Sequence, residues 1–248
     1  MWCYYNVTTT ESATVILNNV NAGFGSTMEV DGVSVPLART YTFDTTGEHL
    51  VKFILTNPTT ISGANGQRWR EVFALKRCYL PDGITKIPGL TFFGRVSAGY
   101  NLQILHIPES VQVWGDSGQL VIYEGYNIKG KVNLPNLTTC YSSFSRCGYS
   151  EIKIGDDVSS LPADMFRQCY ATKTIDLGSG ITNIGAQFVY EAESLETITI
   201  RALTPPTLGA NPWRNNYALR AIYVPSESVQ AYKQAAGWSS YANKIQAI

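Results

Sequence analysis

Apolar–polar–apolar triplets return along the chain from residue 78 onward: Cys78-Tyr-Leu80, Leu105-His-Ile107, Val132-Asn-Leu134, Ile152-Lys-Ile154, Ile175-Asp-Leu177, Ile198-Thr-Ile200 and Ile222-Tyr-Val224. Their starts lie 27, 27, 20, 23, 23 and 24 residues apart. Alternation with period two is the pattern of a strand with one buried face. A strand that recurs at a nearly fixed interval predicts a solenoid, with the outer residues of each triplet inside and the middle residue outside.

Further positions keep the same phase. A leucine stands three residues before several triplets (Leu75, Leu102, Leu195, Leu219), and Pro or Gly closes most of them (Pro81, Pro108, Pro135, Gly155, Gly178, Pro225). A second apolar pair follows: Ile84/Ile87, Val111/Trp114, Val158/Leu161 and Ile181/Ile184. An aromatic then precedes the next strand (Phe93, Phe144, Phe166, Phe188), on a short helical or turn segment that closes the coil over the same core. Cys147 and Cys169 each follow their Phe by three residues and read as small core hydrophobes packed beside it; Glu191 breaks that series after Phe188. One coil of about 23 residues cannot offset its own ordering entropy, so neighbouring coils and two end caps are required.

The closing segment "PSESVQAYKQAAGW" predicts a helical cap over 226–248, with Ser226 as N-cap, Val229 and Tyr232 on its inner face and Gly237 at its end; Trp238, Tyr241 and Ile245 then cover the last coil. Residues 1–60 differ. "ATVILNNV", "MEVDGVSVPL", "YTF" and "HLVKFIL" are short β runs, and Asp31-Gly32 is a hairpin signal. They predict a small antiparallel β-sandwich-like domain docked on the first coil. Residues 61–77 read as a degenerate N-terminal cap, with Ile61 and Phe73 in the core and Trp69 as a lid.

Composition narrows the function. Charged residues are 15% and the formal net charge is zero, which excludes the basic face of a nucleic-acid binder. No apolar run approaches the ~18 residues of a membrane span, and "MWCYYNVTTT" shows no export signal, so such a signal is expected to have been removed if the protein is exported. The five cysteines are odd in number and lack a Cys-x-x-Cys pair, so no disulfide framework is expected and free thiols fit a reducing or anaerobic setting. The two histidines, His49 and His106, fall in different regions, which argues against a metal site. "GDSG" at 115–118, with His106 nearby, lacks the flanking glycine and fold of a serine-protease site and reads as a turn. "GFGSTM" at 23–28 lacks the third glycine and the βαβ setting of a dinucleotide loop. Asn6-Val-Thr8 and Asn136-Leu-Thr138 fit the glycosylation triplet. No cofactor is expected.

Together, "LETITI", "ITNIGAQF", "MFRQC" and "LRAIYVPSESVQAYKQAAGWSSYANKIQAI" resemble the BspA-type leucine-rich repeat family over residues 61–248. "YTFDTTGEHLVKFIL" is similar to β modules that precede such repeats. The resemblance implies an α+β solenoid, a right-handed leucine-rich-repeat coil with a parallel β-sheet on one face. It also implies an exported or surface protein of host-associated bacteria that takes part in adhesion and in protein or matrix binding. The copies around 105–131 ("GDSGQLVIYEGYN") and after Ile200 ("TPPTLGANPW") depart from the family pattern.

With no catalytic constellation, the outward middle positions Tyr79, His106, Asn133, Lys153, Asp176, Thr199 and Tyr223 are the candidate binding residues, flanked by Arg77, Lys131, Glu151, Thr174 and Thr197. Such a row is either an extended binding surface or a plain solvated face. The expectation is a non-enzymatic, secreted or cell-surface recognition protein with a protein or glycan partner, host-derived in keeping with the resemblance. The alternative is a spacer or assembly module of a larger surface or particle complex.

Overall fold

A computed structural model describes residues 1–7, 13–16, 24–55, 74–89, 92–93, 102–116, 121–123, 125–141 and 144–248. The expectations for Ile61, Phe73 and Trp69, and for any boundary near residue 60, fall outside these residues. The fold is mostly β, with a parallel-strand solenoid of about seven turns and an antiparallel sheet at the N-terminus.

The predicted triplets are strands at the predicted phase. Lys131–Leu134, Glu151–Ile154, Thr174–Leu177, Thr197–Ile200 and Ala221–Val224 form a parallel ladder, and Ile245–Ala247 adds a sixth strand. Ile152, Ile175, Ile198, Ile222 and Ile245 are direct register partners in one row. The earlier strands Leu75–Tyr79 and Ile104–His106 pair in parallel with each other but belong to a different sheet.

The second apolar pair of each copy forms a rear wall. Lys86–Ile87, Val113–Trp114 and Thr139–Cys140 make one short parallel sheet; Ser160–Leu161, Asn183–Ile184 and Thr207–Leu208 make another. Front and rear walls break between different coils, so neither break divides the core. That core is one cluster running from Met1 to Ile245.

Between the walls runs a column of rings. Trp114 stacks on Phe144 at 4.1 Å between centroids, and Phe144, Phe166, Phe188, Trp213 and Trp238 follow at 5.6, 5.3, 6.0 and 5.8 Å. In "TPPTLGANPW", Trp213 fills the place that Phe holds in its neighbours. In the copy around 105–131, Ile122–Tyr123 pairs in parallel with Phe92–Phe93. Tyr149 and Thr172 occupy the leucine position of their copies, and both bury a satisfied hydroxyl: Tyr149 donates to the Leu105 carbonyl at 3.1 Å and Thr172 to the Tyr149 carbonyl at 2.7 Å.

Two expectations need correction. Glu191 does not replace a cysteine. The turn keeps its length, but Phe188 stands one position earlier than Phe166, level with Met165. Glu191 therefore falls level with Arg146 and Gln168, all three at positive φ (58°, 61° and 57°), and buried Ala192 takes the place of Cys147 and Cys169. The three side chains form an outer ladder, Arg146 Nε donating to Gln168 at 2.7 Å and Gln168 Nε2 donating to Glu191 at 2.8 Å. Second, the C-terminal helix is short: a 3-10 turn at Ser226–Ser228, then α-helix over Val229–Gln234. Ser226 bonds Glu227 and caps nothing, while Ser228 donates to the Leu203 carbonyl at 2.7 Å. Gly237 lies past the helix end at φ 81°. Trp238 does cover the last coil, fully buried and donating to the Pro206 carbonyl at 2.7 Å.

At the other end, Trp2–Val7 lies in the middle of the antiparallel sheet, paired with Gly47–Leu55 on one side and Leu75–Tyr79 on the other. The N-terminal sheet is thereby hydrogen-bonded into the first coil. Asp31 and Gly32, at φ 48° and 87°, make the predicted two-residue hairpin between Phe24–Val30 and Val33–Pro36.

Candidate functional site

The alternation that buries the Ile row points the intervening residues outward. Asn133, Lys153, Asp176, Thr199 and Tyr223 are consecutive register partners, and Gln246 continues the row. Tyr79 and His106 form a separate row that Trp2 extends, in register with Tyr79. The seven predicted positions therefore make two rows.

Side-chain chemistry differs along the face. Asp176 receives two hydrogen bonds from Arg201 at 2.9 and 2.8 Å, and that pairing raises the Arg201 pKa. Lys131 pairs with Glu151 at 2.8 Å and Arg220 with Glu196 at 2.7 Å. Asn133 donates to Glu109 at 2.6 Å, bridging toward the coil that carries His106. Lys153 is exposed and forms no ion pair among the described residues. The face is thus a largely neutralised polar ladder, with Lys153 as its available cation.

Aromatics gather at the N-terminal end. Tyr79 lies 6.1 Å from Tyr4 in an edge-on arrangement and 6.2 Å from His106. Arg77, predicted as a flanking residue of the face, instead serves the domain junction: its guanidinium sits 4.1 Å over the Tyr4 ring and pairs with Glu48. Among the described residues, two depressions on the face stand out. One, of about 370 Å³, is lined by Met1, Trp2, Tyr79, Leu80, Pro81, Asp82 and His106. The other, of about 300 Å³, lies along Lys131–Asn133, Glu151–Lys153, Thr174 and Asp176. Their size suits a small moiety or side chain.

The sequence reading missed Trp2 and Gln246. Trp2 is 53% exposed and reaches the face only through a strand pairing across more than 70 residues, for which local pattern holds no signal. Gln246 follows an apolar residue in the alternation that marks the other strands, a signal hidden by the expectation of a helical cap. A further exposed pair, Tyr126 and Tyr170, stacks at 6.2 Å with planes 11° apart, away from the predicted row. Gly148 lies between their coils; a Cβ there would stand 2.2 Å from the Ile128 carbonyl oxygen.

The other candidate chemistry has structural partners. His49 is buried, with Nδ1 2.7 Å from Asp31 and Nε2 2.9 Å from the Thr45 carbonyl, and it braces the hairpin. Burial alone would lower its pKa, but the Asp31 and Thr45 contacts outweigh burial and leave it raised. In "GDSG", Asp116 pairs with Lys86 at 2.7 Å and accepts from the Gly89 amide at 3.1 Å; Ser117 is outside the described residues. Burial would raise the Asp116 pKa, and those two partners leave it lowered. Phe24–Val30, spanning most of "GFGSTM", is an antiparallel strand and makes no phosphate loop. Among the described residues no three His, Cys, Asp or Glu side chains group as metal ligands, and no helix is long and apolar enough to cross a membrane.

Residues 123–242 match the BspA type leucine rich repeat region in six copies. Among solved structures, a leucine-rich repeat protein from Bacteroides ovatus ATCC 8483 is 17% identical, over 72% of this chain and 53% of its own, with a TM-score of 0.34. The pneumococcal vaccine antigen PcpA is 14% identical, over 79% of this chain and 46% of its own, also with a TM-score of 0.34. This chain thus spans about half the length of each. No curated protein sequence matches it.

Proposed function

We propose that this chain, whose repeats are BspA-type leucine-rich repeats, is a non-enzymatic recognition protein that holds a protein or glycan partner against the outer face of its parallel sheet. Proteins of this repeat family are often surface adhesion proteins, and we place this chain in the same setting, secreted or at the cell surface, with a host-derived partner. The observation that carries the reading is the unbroken register from Asn133 to Tyr223, with one depression along its first coils and an aromatic depression around Trp2 and Tyr79. A rigid ladder spaced by ~4.8 Å presents side chains at fixed intervals and loses little entropy on binding.

Tyr79, Tyr223 and Lys153 are the residues expected to contribute most, the first two as amphipathic rings and the third as a cation. The test is a binding screen against host-matrix proteins and a glycan array, repeated with Y79A/K153A/Y223A. Affinity should fall by at least about tenfold while the thermal midpoint changes little. Unchanged binding would move the site off this face. The solution mass, measured alongside, separates a recognition monomer from the spacer or assembly module, which would form a defined oligomer.

A further inference from the structure

We propose that Cys3 and Cys78 are a cross-linking pair whose disulfide ties the first strand of the chain to the first coil of the solenoid. The two residues are direct register partners across the antiparallel junction, flanked by Trp2 opposite Tyr79 and Tyr4 opposite Arg77. Residues directly opposite in such a pair have Cα atoms about 4.5–5.5 Å apart, inside the window a disulfide spans. Their sulfurs are 3.4 Å apart, the Cys3 thiol donating to Cys78, and both residues are fully buried.

Two of the three remaining thiols show why the pairing would be selective. Cys147 and Cys169 stand on adjacent coils, but Cys169 donates to the Phe144 carbonyl at 3.1 Å and Cys147 to the Ser145 carbonyl at 3.9 Å. Each of those thiols is turned toward backbone, whereas Cys3 and Cys78 are turned toward one another.

The chemistry is ordinary exchange with a low-molecular-weight disulfide such as oxidised glutathione. One cysteine, as its thiolate, attacks that disulfide and expels one glutathione thiolate, leaving a mixed disulfide. The second, having lost its proton to solvent, attacks the protein sulfur of the mixed disulfide and expels the other glutathione thiolate. Two protein thiols are oxidised to one disulfide and one glutathione disulfide is reduced to two thiols. Burial and the neighbouring Cys3 push the Cys78 thiol upward, so exchange belongs to the moment before the first strand docks. Once formed, the bond fixes Trp2 beside Tyr79 at the aromatic depression.

The test refolds the full chain in a glutathione redox buffer and, separately, in dithiothreitol, then unfolds and alkylates each sample. Of the five cysteines, three should be alkylated after the glutathione arm, with a mass lower by two hydrogens and one cross-linked peptide joining Cys3 to Cys78. The thermal midpoint should lie roughly 5–15 °C above that of the dithiothreitol sample. C3S should keep its four thiols in both buffers and lose the redox dependence of its midpoint. Five alkylated cysteines from folded chain in the glutathione arm, or a bond mapped to Cys140, Cys147 or Cys169, would overturn the proposal. The mapping on unmodified chain decides the matter even should C3S fail to fold.

Discussion

Phe166 lies fully buried between Phe144 and Phe188, and its loss would open a cavity that neither wall of the coil can collapse to fill. Phe166→Ala should therefore cost about 3–5 kcal/mol, read as a drop in the denaturant midpoint with little change in slope. Gly178 illustrates the opposite constraint. A Cβ there would stand 2.1 Å from the Gly155 carbonyl oxygen, so Gly178→Ala should push two coils apart and lower stability by about 1–3 kcal/mol in thermal melts. His49 gives the fold a pH dependence. Its folded pKa is raised above the ordinary 6.5, so its contribution is full below that value and is lost as pH rises through the raised folded value. Stability should decline over that interval, and D31N, which removes the carboxylate 2.7 Å from Nδ1, should flatten the decline in melts across pH.

At the scale of single elements, the cap is the informative case. Trp238 closes the ring column against Trp213 and holds the Pro206 carbonyl. Trp238→Ala should release the last coil before the rest. In hydrogen exchange, amides of Thr197–Ile200 and Ala221–Val224 should lose protection while those of Leu75–Tyr79 keep theirs, because solenoid stability is a sum of neighbour terms. The elements also show what a sequence can and cannot disclose. The Ile row was legible because period-two alternation fixes which face is buried, and the ring column was legible because Phe144, Phe166 and Phe188 recur within one residue of the same level. The misplacement of Glu191 came from counting from Phe188, which stands one position earlier in its turn than Phe166. The left-handed backbone that marks the true level sits on Arg146, Gln168 and Glu191, none of them a glycine that would announce it. Ile245–Ala247 was too short to outweigh the helical signal before it. For the candidate face, the row from Asn133 to Tyr223 was readable from alternation; its division from Tyr79 and His106, and the addition of Trp2, were not, since both depend on distant pairing.

For the molecule as a whole, two kinds of order meet at Leu75–Tyr79, which is antiparallel to the first strand and parallel to the next coil. Beyond that point each coil rests on its predecessor, and contacts join neighbours about one period apart. Before it, Trp2–Val7 needs partners from both Gly47–Leu55 and Leu75–Tyr79. Synthesis on the ribosome therefore cannot complete the N-terminal sheet before Leu75–Tyr79 has emerged. Trp2–Val7 can pair with Gly47–Leu55 first, but its other edge stays open until residue 79 has emerged. Only then does a completed platform exist on which later coils can be laid down one by one as they appear.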